Sequence, residues 1–291
     1  MKWQDLRRSA NVEDFRSSGS ARGAGGRGNA RMLFPIAKFL LGTKIGRIVL
    51  IVGVVAYFFG FNPLSLLDGG QTRQSAPQAI SAKDDESAQF VSAVLAQTED
   101  VWRKLFKENS REYVEPKLVL FRNSVQSGCG YAQSQMGPFY CPTDQKVYLD
   151  LGFFDELRSR HDAPGDFAQA YVVAHEIGHH VQNLLGTLGK SHTAKQAAVS
   201  KTTANAVQVK VELQADCYAG VWAHYLDGVL EEGDIEEALN AASAIGDDAL
   251  QKKARGYVTP DAFTHGSSKD RTKWFSLGYK GGKLSSCQTG I

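Results

Sequence analysis

The sequence predicts an α+β fold: a mostly helical domain with a small β-sheet beside its central helix, preceded by one transmembrane helix. Three observations carry that expectation. Apolar residues recur every three to four positions over long stretches, the period of a half-buried helix, while two short runs have strand character. The central helical stretch holds His175-Glu176-Ile177-Gly178-His179, in which two imidazoles four residues apart share one helix face. A 14-residue apolar run, Ile48–Phe61, follows a long basic segment.

Taken in order, residues 1–47 carry ten Lys and Arg against three acidic residues and include the Gly/Arg/Ser-rich stretch Ser17–Gly28. They read as a basic, largely disordered tail. Ile48–Phe61 is short for a bilayer, but continued to Leu67 it reaches the ~20 residues a spanning helix needs. Tyr57, Phe58, Phe59 and Phe61 would be its interface anchors. A cleaved signal peptide fits poorly, because the segment ahead of the run is long and no small-x-small site follows. A single-pass helix over 48–67 is therefore expected, with the lipid bilayer as its partner. Positive residues stay inside. The N-terminus is then cytoplasmic, and the domain lies in the periplasm beyond the inner membrane. The net charge of +2 gives no indication of a nucleic-acid partner, and oligomeric state is open.

Residues 68–84, rich in Gly, Gln, Ser, Pro and Ala, form a spacer. The domain proper runs over 85–291. Phe90, Val91, Val94, Leu95, Val101, Trp102, Leu105 and Phe106 predict a helix over 86–108. Lys117–Phe121 and Lys146–Leu151 predict strands. Asp166 is the expected N-cap of the central helix and Gly186 its end. A second long helix is expected from Thr203 to Asp227. Another starts at Asp234, where Asp234 and Glu237 form a capping-box-like pair, and a last one runs from Ser268 to Tyr279, closed by Gly281-Gly282.

His175 and His179 can aim ring nitrogens at one Zn²⁺ per chain, and Glu176 then faces the open coordination position as a general base. Such a site needs a third protein ligand. Glu212 and Asp216, four apart on the second long helix, both present carboxylates on one face. The preferred division gives Glu212 to the metal and lets Asp216 accept the outer ring N–H of a ligating histidine. The reverse assignment is the alternative.

The string HEIGHH followed by ELQADCYAG resembles the bacterial neutral zinc metallopeptidases, membrane-tethered zincins with a downstream Glu ligand. The likeness extends to Lys2-Trp3, Asn11–Asp14, Gly137–Pro142, Val147–Asp150 and Thr264–Ser268, nearly the whole chain. It implies a zincin-like fold and peptide-bond hydrolysis on a peptide or protein substrate. Val211 departs from thermolysin-like enzymes, which have Asn at that position.

Other zinc architectures fit less well. Gln182 and Leu185 stand where metzincins have Gly and a third His. His180 points about a quarter-turn from His179 and reads as a surface or hydrogen-bonded histidine. His265, in Thr264-His265-Gly266, is the candidate oxyanion stabiliser, with Tyr257 as the weaker option. Phe139–Leu151 could hold an extended substrate by strand addition. Four cysteines allow three pairings; Cys129–Cys141 with Cys217–Cys287 is preferred, against four free thiols. The reading from another class is a membrane-tethered scaffold with structural zinc, which closes all four positions with protein ligands.

Overall fold

The structure is a computed structural model that describes residues 1–17 and 80–291. The expected spanning segment 48–67 lies outside the described residues, and among those residues no helix is long and apolar enough to cross a membrane.

The first long helix, α1 (Ala82–Glu108), starts four residues earlier than its apolar period indicates. The Ser81 hydroxyl accepts a hydrogen bond from the Asp84 amide, and the Asp84 carboxylate accepts one from the Ser81 amide, a capping box that the apolar pattern does not register. Its buried face includes the eight apolar residues that predicted it.

Four strands form one sheet: β1 (Val12–Asp14), β2 (Lys117–Phe121), β5 (Phe139–Cys141) and β6 (Lys146–Asp150). The order is β1-β2-β6-β5. β1, β2 and β6 run parallel, with Leu118 beside Val12 on one side and Val147 on the other. β5 lies antiparallel to β6 at the sheet edge, pairing Phe139 with Tyr148. A separate hairpin joins β3 (Ser124–Ser127) to β4 (Gly130–Gln133).

β1 corrects the expectation of a disordered tail for residues 1–17. Val12–Asp14 are strand residues, and Met1 and Trp3 are buried in the main core. Glu99 of α1 is 1% exposed. Arg7, Ser9 and Asn11 all donate to its carboxylate. A buried carboxylate left without donors is costly, so this segment is integral to the domain. The polarity of residues 5–17 hides the strand from any periodicity.

The helical layer holds α2 (Gly152–Ser159), α3 (Asp166–Leu184), α4 (Thr187–Gln196), α5 (Lys201–His224), α6 (Asp234–Ala244), α7 (Asp247–Arg255) and α8 (Ser268–Gly281). α3, α5, α6 and α8 thus meet their expected positions within a few residues. α2, α4, α7 and the hairpin carry too few apolar positions for a clear period. Two capping expectations fail. Asp166 is the first helical residue of α3, and its carboxylate accepts from the Met1 ammonium at 2.8 Å. Glu237 does not box with Asp234; it accepts the Phe167 amide at 3.0 Å and so caps α3 from outside. Both preferred disulfides are present, Cys129–Cys141 and Cys217–Cys287. The first ties the edge strand to the hairpin, and the second holds the C-terminal segment against α5.

Candidate metal centre

α3 and α5 cross at backbone contact. A Cβ on Gly178 would stand 2.9 Å from the Ala215 carbonyl oxygen, so only glycine lets the helices approach this closely. The crossing sets the His175/His179 face of α3 against Glu212. Glu212 Oε2 lies 3.2 Å from His175 Nε2 and 3.4 Å from His179 Nε2. The three candidate ligand atoms lie within 4.8 Å of one another.

The outer nitrogens are occupied elsewhere. His175 Nδ1–H donates to Asp216 Oδ1 at 2.7 Å, and His179 Nδ1–H donates to Gln182 Oε1 at 2.9 Å. In those tautomers both Nε2 atoms are acceptors, and they face a third acceptor, the Glu212 carboxylate. Three acceptors converging on one point, two of them buried and the third half-buried, repel unless positive charge fills the space between them. Burial alone would lower His175, but Asp216 and Glu212 outweigh it and raise its pKa to about 9. His179 is raised likewise, the pull of Glu212 overcoming burial. The centre attracts a cation, and two imidazoles with one carboxylate form a known catalytic zinc donor set. The residues fit the metal.

Asp216 lies behind His175 rather than at the ligand point, which favours Glu212 over the reverse assignment. It is fully buried and holds a buried cluster together. Tyr171 Oη donates to Oδ1 at 2.5 Å, and Arg271 donates from Nε to Oδ2 at 2.8 Å and from Nη2 to Oδ1 at 2.9 Å. Burial would push the carboxyl up, yet Arg271 and His175 hold it at about 2. Arg271 comes from α8, brought in because a Cβ on Gly278 would overlap the Cys217 carbonyl of α5.

Further residues support the ligands without being evident from the motif. Gln182 also donates to the Val211 carbonyl at 2.7 Å, so that position contributes through its backbone. Gln208, one turn before Glu212, donates to Glu212 Oε1 at 2.7 Å and leaves Oε2 for the histidines. The i, i+3 spacing of Gln182 from His179 and the i, i+4 spacing of Gln208 from Glu212 were readable signals. Arg271 had none, because its partner is 55 residues away in sequence.

A cavity of about 850 Å³ opens over the centre, lined by His175, Glu176, His179 and Glu212 among others. Phe139 and Tyr140 of the edge strand form part of its lining, and so does His265. His265 is half exposed, at 51%. Its turn is built by Asp247, whose Oδ2 accepts the amides of Thr264, His265 and Gly266 at 2.6–3.0 Å. Asp247 Oδ1 faces His265 Nδ1 at 3.5 Å and raises the imidazole pKa. Tyr257 is not in the cavity; it is 62% exposed and lies beneath Arg255. His180 is buried rather than at the surface. Its Nε2–H donates to the Val114 carbonyl at 2.6 Å, and its Nδ1 accepts from Tyr140 Oη at 3.0 Å.

Comparison with known proteins identifies the family of the chain. Residues 1–290 match the family described as "Putative neutral zinc metallopeptidase". The chain is similar to an uncharacterized protein of Escherichia coli K12, YpfJ, at 47% identity over 99% of this chain and 98% of that protein. An uncharacterized protein of Mycobacterium tuberculosis, Rv2575, is 44% identical over 65% of this chain and 66% of its own length. No solved structure matches. A family match over almost the whole length, with the two histidines and the distant glutamate meeting at one point, places this chain in the neutral zinc metallopeptidase family.

Proposed function

We propose that the protein hydrolyses peptide bonds with one zinc ion held by His175, His179 and Glu212. The observation that carries this reading is the convergence of three largely buried acceptors beside Glu176, on the wall of a cavity large enough for a peptide. When bound, zinc supplies a Lewis acid and a water whose pKa is drawn toward 7. Glu176 takes the proton of the attacking water and delivers it to the leaving amine, the two roles of one carboxylate in this chemistry. His265, held by Asp247, donates to the oxygen that gains negative charge. β5, at the end of the sheet, offers backbone groups to an extended substrate as an added strand.

The scaffold reading needs a fourth protein ligand. Among the described residues the two candidates point elsewhere: Asp216 is held by Arg271 and Tyr171, and His180 by Val114 and Tyr140. No observation favours it.

Attachment to the inner membrane through residues 48–67, with the domain on the periplasmic side, belongs to the same proposal. A single crossing with a cytoplasmic amino terminus is not carried forward, because it would separate β1 from β2, which pair in one sheet.

The test is hydrolysis of an unfolded protein substrate. Activity should be lost on chelation and return with added Zn²⁺. Full zinc occupancy without any hydrolysis of unfolded substrates would refute the reading.

A further inference from the structure

One cation of the cavity wall has no role in the centre described above. Lys195, near the end of α4, lines the cavity together with His192 one turn earlier. Its Nζ donates to Gln208 Oε1 at 2.6 Å. The amide end of Gln208 donates in turn to Glu212 Oε1 at 2.7 Å. Two hydrogen bonds thus separate the ammonium from the metal-facing carboxylate, and the Gln208 bond fixes an otherwise flexible four-carbon stem.

Charge makes Lys195 unusual in this cavity. Arg271, the other cationic side chain of the wall, is neutralised by Asp216. Among the described residues no carboxylate stands within ion-pair distance of Lys195. Its bond to Gln208 engages one of three ammonium donors, and a neutral amide leaves the charge uncompensated. A half-buried, preordered ammonium in a concave site favours an anion, since a charged acceptor there makes a shorter and stronger hydrogen bond than water.

We propose that Lys195 is a carboxylate-recognition residue of the substrate cavity. This rests on the peptidase reading, which supplies a peptide as occupant. An extended chain advances about 3.3–3.6 Å per residue, so a group two hydrogen bonds from Glu212 lies within one or two residues of the bond being cut. The carboxylate there is either the C-terminus of a short peptide or an Asp or Glu side chain close to the scissile bond.

The test measures peptide binding to zinc-loaded Glu176→Gln protein, in which the substrate stays uncut. Three kinds of peptide are built on one parent sequence: neutral with an amidated C-terminus, the same with a free C-terminal carboxylate, and an amidated series carrying one Glu at successive positions. One carboxylate peptide should bind about tenfold more tightly than the neutral amide, the scale of one charge-assisted hydrogen bond. Which of the two does so identifies the source of the carboxylate. The ratio should shrink as salt rises, fall to about one in Lys195→Met, and persist in Lys195→Arg, which keeps the charge. Equal binding of all three kinds, no binding of any, or a preference that survives Lys195→Met would overturn the proposal. Chelator-reversible cleavage of the neutral amide by the parent protein tests the peptidase reading separately.

Discussion

Glu176 and Arg271 both line the cavity and serve the centre in different ways. Glu176 lines the cavity and is the base of the proposed reaction, and it is absent from the set of converging ligand atoms. Glu176→Gln should therefore keep zinc at the parent stoichiometry while peptide cleavage falls by about 10²–10⁴-fold; cleavage at the parent rate would remove Glu176 from the role of base. Arg271 acts through Asp216 and His175. Arg271→Met leaves a fully buried carboxylate short of its main partner, so zinc affinity should fall roughly 10–100-fold, as removing outer supports of metal ligands typically does. Competition with a chromophoric chelator measures this, and an unchanged affinity would separate Arg271 from the centre. His265→Ala should lower kcat by about 10²–10³ with zinc content unaltered, the usual effect of losing an oxyanion donor.

The edge strand and the metal helix are joined by a polar chain. Asn183 donates to Tyr140 Oη at 3.0 Å, Tyr140 donates to His180, and His180 donates to Val114. The link fixes β5 against α3 and so sets the distance between the proposed substrate wall and the centre. Burial pushes the His180 pKa down to about 4, against roughly 6.5 in an unfolded chain. Above pH 6.5 the ring is neutral in both states and costs nothing. As pH falls from 6.5 toward 4, the unfolded chain takes up a proton that the folded one refuses, and stability drops. The loss approaches about 3 kcal/mol at 1.36 kcal/mol per pKa unit. Unfolding free energies in urea should show that slope in the parent and a shallower one in His180→Gln; identical slopes would mean that other groups carry the acid sensitivity.

At the level of the whole molecule, the described N-terminal residues and the domain that holds the candidate metal centre belong to one compact unit. Deleting residues 1–14 removes three donors from Glu99 and a strand from the sheet. Removing the partners of a buried charge costs about 3–5 kcal/mol, so the truncated protein should unfold at markedly lower denaturant. An unchanged midpoint would show that the segment is dispensable. The shared sheet also has a topological consequence. For the membrane attachment proposed above, an epitope placed after residue 17 and one at the C-terminus should be exposed to protease from the same face of the membrane, and protection of only one would restore the single-crossing arrangement.

Local spacing decided what the sequence alone could establish. His175, Glu176 and His179 follow from one helical turn, Glu212 and Asp216 from another, and α1, β2, β6 and α8 from apolar period or end signals. Those signals lie within a few residues of one another, where backbone geometry leaves little freedom. The assignment of Glu212 over Asp216, the support from Arg271, the ordering of His265 by Asp247 and the strand at Val12–Asp14 depended on tertiary structure. Each joins residues apart in the chain: the close packing of α3, α5 and α8 at Gly178 and Gly278 brings Glu212 and Arg271 to the centre, while pairing with β2 orders the strand at Val12–Asp14. Helical periodicity states which face of a helix is apolar, but not which carboxylate on it meets a partner helix, because that choice belongs to the crossing point.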